Sequence, residues 1–165
     1  MRSELEVNRA IERYADTVSR ICMVQLKNAA DTEDVFQEVF LKYALSPAVF
    51  ETVEHEKAWI IRVALNRCRD LRRRLLRRRT APLEEALTAP EEAPHAEVLA
   101  AVLSLPQKYR EAVYLHYYEG YTAVEIGRLL HRNVNTVYTL LARAKEQLRE
   151  KLGGDGYEGE HQGRL

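Results

Sequence analysis

The chain has little of what builds covalent or metal-held scaffolds. Of its 165 residues only two are cysteine, Cys22 and Cys68, and neither has a partner at metal-ligand spacing. Two cysteines make no disulfide framework, so a reducing compartment fits, with both as small core residues. Glycine is scarce in the body of the chain, because five of the seven fall in the last thirteen residues. No apolar run approaches bilayer length, and the amino-terminal MRSELEVNRA lacks the apolar segment of a signal peptide. A cytoplasmic protein without membrane insertion is expected. There is no HExxH, no glycine-rich phosphate loop and no GxSxG, and His55, His95, His116, His131 and His161 are scattered without a ligand or nucleophile pattern. Those absences argue against an enzyme and leave no metal or cofactor to assign. Nor is there a strand-like alternation anywhere, so the expected class is all-α.

Net charge is absent too, and the zero is a cancellation between neighbours. Residues 57, 62, 67, 69, 72, 73, 74, 77, 78 and 79 are Lys or Arg against the single acid Asp70, whereas residues 84, 85, 91, 92 and 97 are glutamates in a stretch without Lys or Arg. With 46% apolar and 30% charged residues the composition is ordinary for a soluble helical protein.

What is present reads as a series of helices. Ser3-Glu4-Leu5-Glu6 is a capping-box pattern, and Ile11, Tyr14, Val18, Ile21 and Gln25 keep helical spacing, which predicts a helix over about 4 to 27. Asn28-Ala29-Ala30 reads as a short connection and Asp31 as the N-cap of the next helix, whose Val35, Val39 and Tyr43 share one side with Phe36 and Phe40 beside them. Asp34, Gln37, Glu38 and Leu41 line another side. Ser46-Pro47 stops this helix.

A long helix is predicted from near Glu54 to the low seventies. Its apolar set is Ile61, Ala64, Leu65, Cys68, Leu71 and Leu75, and Arg62, Asn66, Arg69 and Arg73 form a basic stripe on largely the opposite side. The helix therefore has a core face and a basic face. Trp59 is open to two readings, a platform for base stacking or a core residue. The arginines from 72 to 79 read as a solvated helix end with generic phosphate affinity.

Residues 80–95 hold three of the five prolines and no long apolar stripe, which reads as a flexible, acidic, proline-rich linker. It divides residues 1–79 from 96–152, two small helical bundles, and residues 153–165 read as a disordered tail. In the second bundle Ala96 to Leu103 and Gln107 to Tyr118 are predicted helices. Gly120 then supplies a break, Thr122-Ala123-Val124-Glu125 is a capping box, and Val124, Ile126, Leu129 and Leu130 face the core. His131-Arg132-Asn133 is a turn with Asn133 as N-cap, and Val137, Leu141, Ala144 and Leu148 make one buried stripe. This is a helix-turn-helix. The free face of its last helix carries Asn135, Thr136, Tyr138, Thr139, Ala142 and Arg143, where such motifs present residues to base edges.

Several of these stretches together resemble bacterial RNA polymerase sigma factors of the extracytoplasmic-function (ECF) group. DTEDVFQEVFLKYA looks like the helix that grips the polymerase clamp, and EHEKAWIIRVALNRCRDLRRR like the helix that melts and reads the minus-ten element. LPQKYREAVYLHYYEGYTAVEIGRLL followed by NTVYTLLARAKEQLREKL looks like the minus-thirty-five-reading domain. The resemblance implies contacts to core RNA polymerase by Asp34, Gln37, Glu38, Phe40 and Leu41, and to minus-ten DNA by Arg62, Asn66, Arg69 and Arg73. It implies minus-thirty-five contacts by Arg132, Asn135, Thr136, Tyr138, Thr139 and Arg143. An anti-sigma factor is a further implied partner. The chain departs from the family pattern at His131 and Arg132 in the turn and at Tyr138 and Leu140 in the reading helix, which is poorer in positive charge than usual. Arg128, Arg132, Arg143 and Lys145 remain for phosphates. A helix-turn-helix regulator that does not bind polymerase accounts for residues 105–148, but not for the acidic-aromatic helix or the basic stripe.

Overall fold

A computed structural model describes residues 1–78 and 96–153. The expected linker at 80–95 and the tail beyond 153 lie outside the described residues. Every regular element among those described is helical, and they fall into two compact units, one within residues 1–78 and one within 96–153.

The first unit comprises α1 (Glu4–Leu26), α2 (Ala29–Leu45) and α3 (Val53–Arg77), each packed on the other two. The Ser3–Glu6 capping box opens α1, with both reciprocal bonds formed. The junction to α2 is tighter than expected. Lys27 takes the left-handed conformation at φ 52° and ends α1, and Asn28 at once caps α2, its Oδ1 accepting from the Asp31 amide at 3.0 Å. Both Asn28 and Asp31 are chemically good caps, and the earlier one prevails because α1 ends in a single residue. Asp31 then sits in the first turn, where burial and the nearby Asp34 hold its carboxyl above the usual range.

Three helices meet at one carboxylate. The Tyr14 hydroxyl of α1 donates to Glu56 Oε1 at 2.8 Å and the Tyr43 hydroxyl of α2 donates to Oε2 at 2.9 Å, while Arg13 lies 3.7 Å from Oε1. Burial, with the Glu56 hydrogen bond second, pushes the Tyr14 phenol up to about 12. Arg2 closes the same end, donating to the Tyr43 and Ala48 carbonyls with its guanidinium 4.4 Å above the Tyr43 ring. Trp59 completes this cluster, half-buried against Tyr43 and Phe50 at 6.1 and 5.7 Å between ring centres.

The second unit comprises α4 (Ala96–Leu103), α5 (Gln107–Val113), a π-helical turn (Tyr114–Tyr118), α6 (Ala123–Leu130) and α7 (Val134–Lys151). The single helix expected from Gln107 to Tyr118 therefore changes winding half-way. Tyr109 to His116 are all buried, which one stripe of an α-helix cannot achieve, so this is the central helix, covered on all sides. The wider turn brings the Leu115 carbonyl to the Tyr121 amide at 3.0 Å and His116 Nδ1 to the Tyr121 carbonyl at 2.8 Å. Gly120, at φ 80°, reverses the chain, and the Thr122–Glu125 capping box starts α6.

Candidate functional site

Side chains that the core does not use lie on three surfaces. The first is on α2, whose inward needs are met by Val35, Val39, Phe40 and Tyr43. Asp34, Gln37, Glu38 and Leu41 are all exposed and share one face at i, i+3, i+4 and i+7. Phe40 does not join them. It is 5% exposed and tilted against Phe36 at 4.9 Å, because at one position before Leu41 it turns inward beside Val39. It supports the strip from beneath. Sequence reasoning missed Leu45, 60% exposed and one turn beyond Leu41, itself 61% exposed. The four-residue spacing was the available signal, masked by its place at the helix end. The strip is thus acidic at one end and apolar at the other.

The second surface is on α3, capped by Thr52, whose hydroxyl accepts from the His55 amide at 3.0 Å. Ile60, Ile61, Val63, Ala64, Leu65 and Cys68 are buried. Arg62 and Arg73 are exposed, and Asn66 and Arg69 are half-buried between them. The four share one face over about 16 Å of helix. The middle pair lies partly against the helix bundle and the outer pair extends into solvent.

The third surface is on the helix-turn-helix. His131 ends α6 in the left-handed region at φ 53°, a conformation usually taken by glycine, and Asn133 caps α7 by accepting from the Asn135 amide at 2.8 Å. Gly127 makes the turn tight, because a Cβ there would meet the Arg132 carbonyl oxygen at 2.7 Å. Val137, Leu140, Leu141 and Ala144 pack inward, and Arg132, Asn135, Thr136, Tyr138, Thr139, Ala142 and Arg143 are exposed. Leu140, counted above among the residues that replace charge on the reading helix, is 7% exposed and belongs to the core. Val124, expected inside, is 46% exposed at the start of α6. Tyr138, 54% exposed, remains on the reading face. The Thr139 hydroxyl donates to the Asn135 carbonyl at 3.1 Å, so outward it offers a methyl group and lone pairs.

Comparison with known families assigns both units. The model of sigma-70 region 2 matches residues 10–79, and that of sigma-70 region 4 matches residues 95–148. The chain belongs to the ECF RNA polymerase sigma factors. It is 29% identical over 161 residues to the ECF sigma factor SigW of Bacillus subtilis, and 30% identical over 149 residues to the sigma factor CarQ of Myxococcus xanthus. Each alignment covers 86% of this chain and 86% of the relative. Among solved structures, that of the sigma factor RpoE in complex with the anti-sigma factor NepR from Bartonella quintana is similar in fold, with a TM-score of 0.71 at 18% identity. That match covers 89% of this chain and 96% of the other.

Region 2 of the sigma factor therefore carries the α2 strip and the α3 row, and region 4 carries the helix-turn-helix. As a sigma factor the chain serves RNA polymerase in promoter recognition and is not an enzyme. That membership leaves no place for the polymerase-independent regulator. No helix among the described residues is long and apolar enough to cross a membrane.

Proposed function

We propose a division of labour within this sigma factor. Residues 1–79 bind core RNA polymerase through Asp34, Gln37, Glu38 and Leu41, with Phe40 holding the strip's backbone, and bind the minus-ten strand through Arg62, Asn66, Arg69 and Arg73. Residues 96–152 bind the minus-thirty-five element. There Arg132 and Arg143 meet phosphates, and Asn135, Thr136, Tyr138 and Thr139 meet base edges. Residues 80–95 join the two, and the protein acts in the cytoplasm, where RNA polymerase is.

The observation that carries this reading is the strip on α2. A helix whose buried side is complete has no structural need for Leu41 and Leu45 in water beside two acids and a glutamine. A partner surface with basic groups facing Asp34 and Glu38 and an apolar seat for the leucines would use all of them. Melting follows from the same unit, because a strand leaving the duplex exchanges its partner strand for the α3 row, and the row releases counterions as it binds. An anti-sigma factor is a further partner in this reading, since the similar RpoE was solved in complex with one.

The double substitution Gln37→Ala, Glu38→Lys tests the assignment. Both side chains are exposed, so the circular-dichroism melt should stay within about 0.5 kcal/mol of the parent. Core-polymerase affinity, measured by fluorescence titration, should fall by about 2–5 kcal/mol for the lost charge complementarity. Unchanged affinity removes α2 from the interface.

A further inference from the structure

Where α1 packs on α3, the two cysteines of the chain face each other. Cys22 and Cys68 are both 0% exposed, and their sulfurs are 3.9 Å apart, with the Cys68 thiol directed at Cys22. Val18 and Ile21 of α1 and Ala64 and Leu65 of α3 are buried beside them in sequence. Both cysteines are thiols in this structure. A disulfide has its sulfurs ~2.05 Å apart, so the pair lies about 1.9 Å outside bonding distance. Closing that gap takes rotation about the χ1 angles and an approach of the two helices. No cluster of three or more metal-ligating side chains occurs among the described residues.

We propose that Cys22 and Cys68 are a modification site, a dithiol that a hydroperoxide converts into a disulfide tying α1 to α3. One thiolate attacks the peroxide. An S–O bond forms as the O–O bond breaks, and the departing oxygen leaves as alcohol or water after taking a proton, which gives a sulfenic acid. The second thiolate attacks that sulfur, forming the S–S bond and expelling hydroxide, which is protonated to water. The two thiols lose two electrons and two protons, and the peroxide is reduced.

Burial orders these steps. Neither sulfur meets solvent in the folded unit, so the first step proceeds from a state in which α1 and α3 have parted, and its rate follows that opening. The second needs no diffusion, because the partner sulfur returns to contact when the helices close. The bond would span 46 positions, a loop long enough to restrict the unfolded chain strongly. It would also lock the helix that bears the basic row to its neighbour. None of this rests on the polymerase and promoter assignments.

The test uses the full chain treated with hydrogen peroxide, then denatured in an alkylating reagent and mapped by non-reducing peptide mass analysis. The expected product is a monomer with no alkylatable thiol and a cross-linked peptide pair containing Cys22 and Cys68. Its Tm should be higher by roughly 5–15 °C and should return to the starting value with dithiothreitol. Cys22→Ala, Cys68→Ala and the matching serine variants should show neither the cross-link nor the peroxide-induced rise. The proposal is overturned if both thiols remain alkylatable, if sulfinic acid or an intermolecular dimer is the main product, or if the cross-linked monomer melts lower than the reduced one.

Discussion

Glu56 offers the sharpest test of how region 2 is held together. Glu56→Ala removes the shared acceptor of Tyr14 and Tyr43, hydroxyl-bearing side chains from two other helices that are otherwise almost wholly buried. A buried hydroxyl left without its partner costs about 1–3 kcal/mol. Tyr43 should lose that in full. Tyr14 should lose less, because its hydroxyl also lies 3.3 Å from the Val53 carbonyl. Glu56 stands in the first turn of α3, where an acid contributes a further ~0.3–1 kcal/mol against the helix dipole. The sum is about 2–5 kcal/mol, which for a unit of this size lowers its Tm by roughly 10–25 °C. Thermal unfolding followed by circular dichroism should show the region 2 transition moving to lower temperature. Glu56→Gln retains one acceptor and should cost less. Tyrosine ionisation gives an independent reading. The raised pKa of Tyr14 means that the folded state holds the proton longer than the unfolded one, so stability is complete below pH 10 and declines as pH rises from 10 towards about 12. In Glu56→Gln the Tyr14 phenol should titrate earlier, yet still above 10, since burial is the larger cause, while Tyr121, raised by burial in region 4, should not move. A melt of Glu56→Ala within 0.5 kcal/mol of the parent refutes the three-helix clamp.

Three further outcomes are expected. Gly127→Ala should destabilise region 4 by about 1–3 kcal/mol, since the new methyl meets the Arg132 carbonyl oxygen at 2.7 Å, whereas His131→Gly should stabilise it by up to ~1 kcal/mol by relieving a left-handed residue; chemical denaturation measures both. Arg69→Ala with Arg73→Ala should weaken open-complex formation and flatten its salt dependence by roughly 0.7 per lost single-strand contact, whereas unchanged permanganate reactivity would reduce the row to a solvated face. Asn135→Ala should relax base preference at one or two upstream positions by about 1–3 kcal/mol, as read by competition with single-base variants, and a uniform loss would mean that it only positions the helix.

Much of the fold was legible because local chemistry and the wider structure agree. Ser3–Glu6 and Thr122–Glu125 announce their helices by residue type and spacing alone, and both capping boxes are formed. The helix-turn-helix could be read from Gly120 through Leu148 for the same reason. Asn28 and Asp31 show the limit, since two good caps three residues apart compete and only the geometry at Lys27 decides. Helical periodicity assumes 3.6 residues per turn, so it cannot register the π turn at Tyr114–Tyr118, nor the width of the core that takes in Leu140 beside Leu141. It sorted the exposed residues of the three surfaces well, because each lies opposite a strong apolar stripe. It also set Phe40 beside the core side, where the side chain is 5% exposed; only the family resemblance grouped it with the exposed strip. Glu56 and the cysteine pair were out of reach in a different way. Their partners are 13, 42 and 46 positions distant, and no local pattern links them.

In the proposed division of labour one chain gives core polymerase both a strand-holding row and an upstream reading helix. In vitro transcription of fragmented genomic DNA by core polymerase, with this chain as the sole added factor and 5′ ends mapped, tests it most directly. A small set of discrete starts that depend on the chain and share two upstream sequence blocks is expected. Permanganate-reactive thymines should appear next to the downstream block and vanish with Arg69→Ala and Arg73→Ala while polymerase binding survives. Starts that are the same without the chain, or a chain that binds DNA but leaves polymerase unbound, would contradict it.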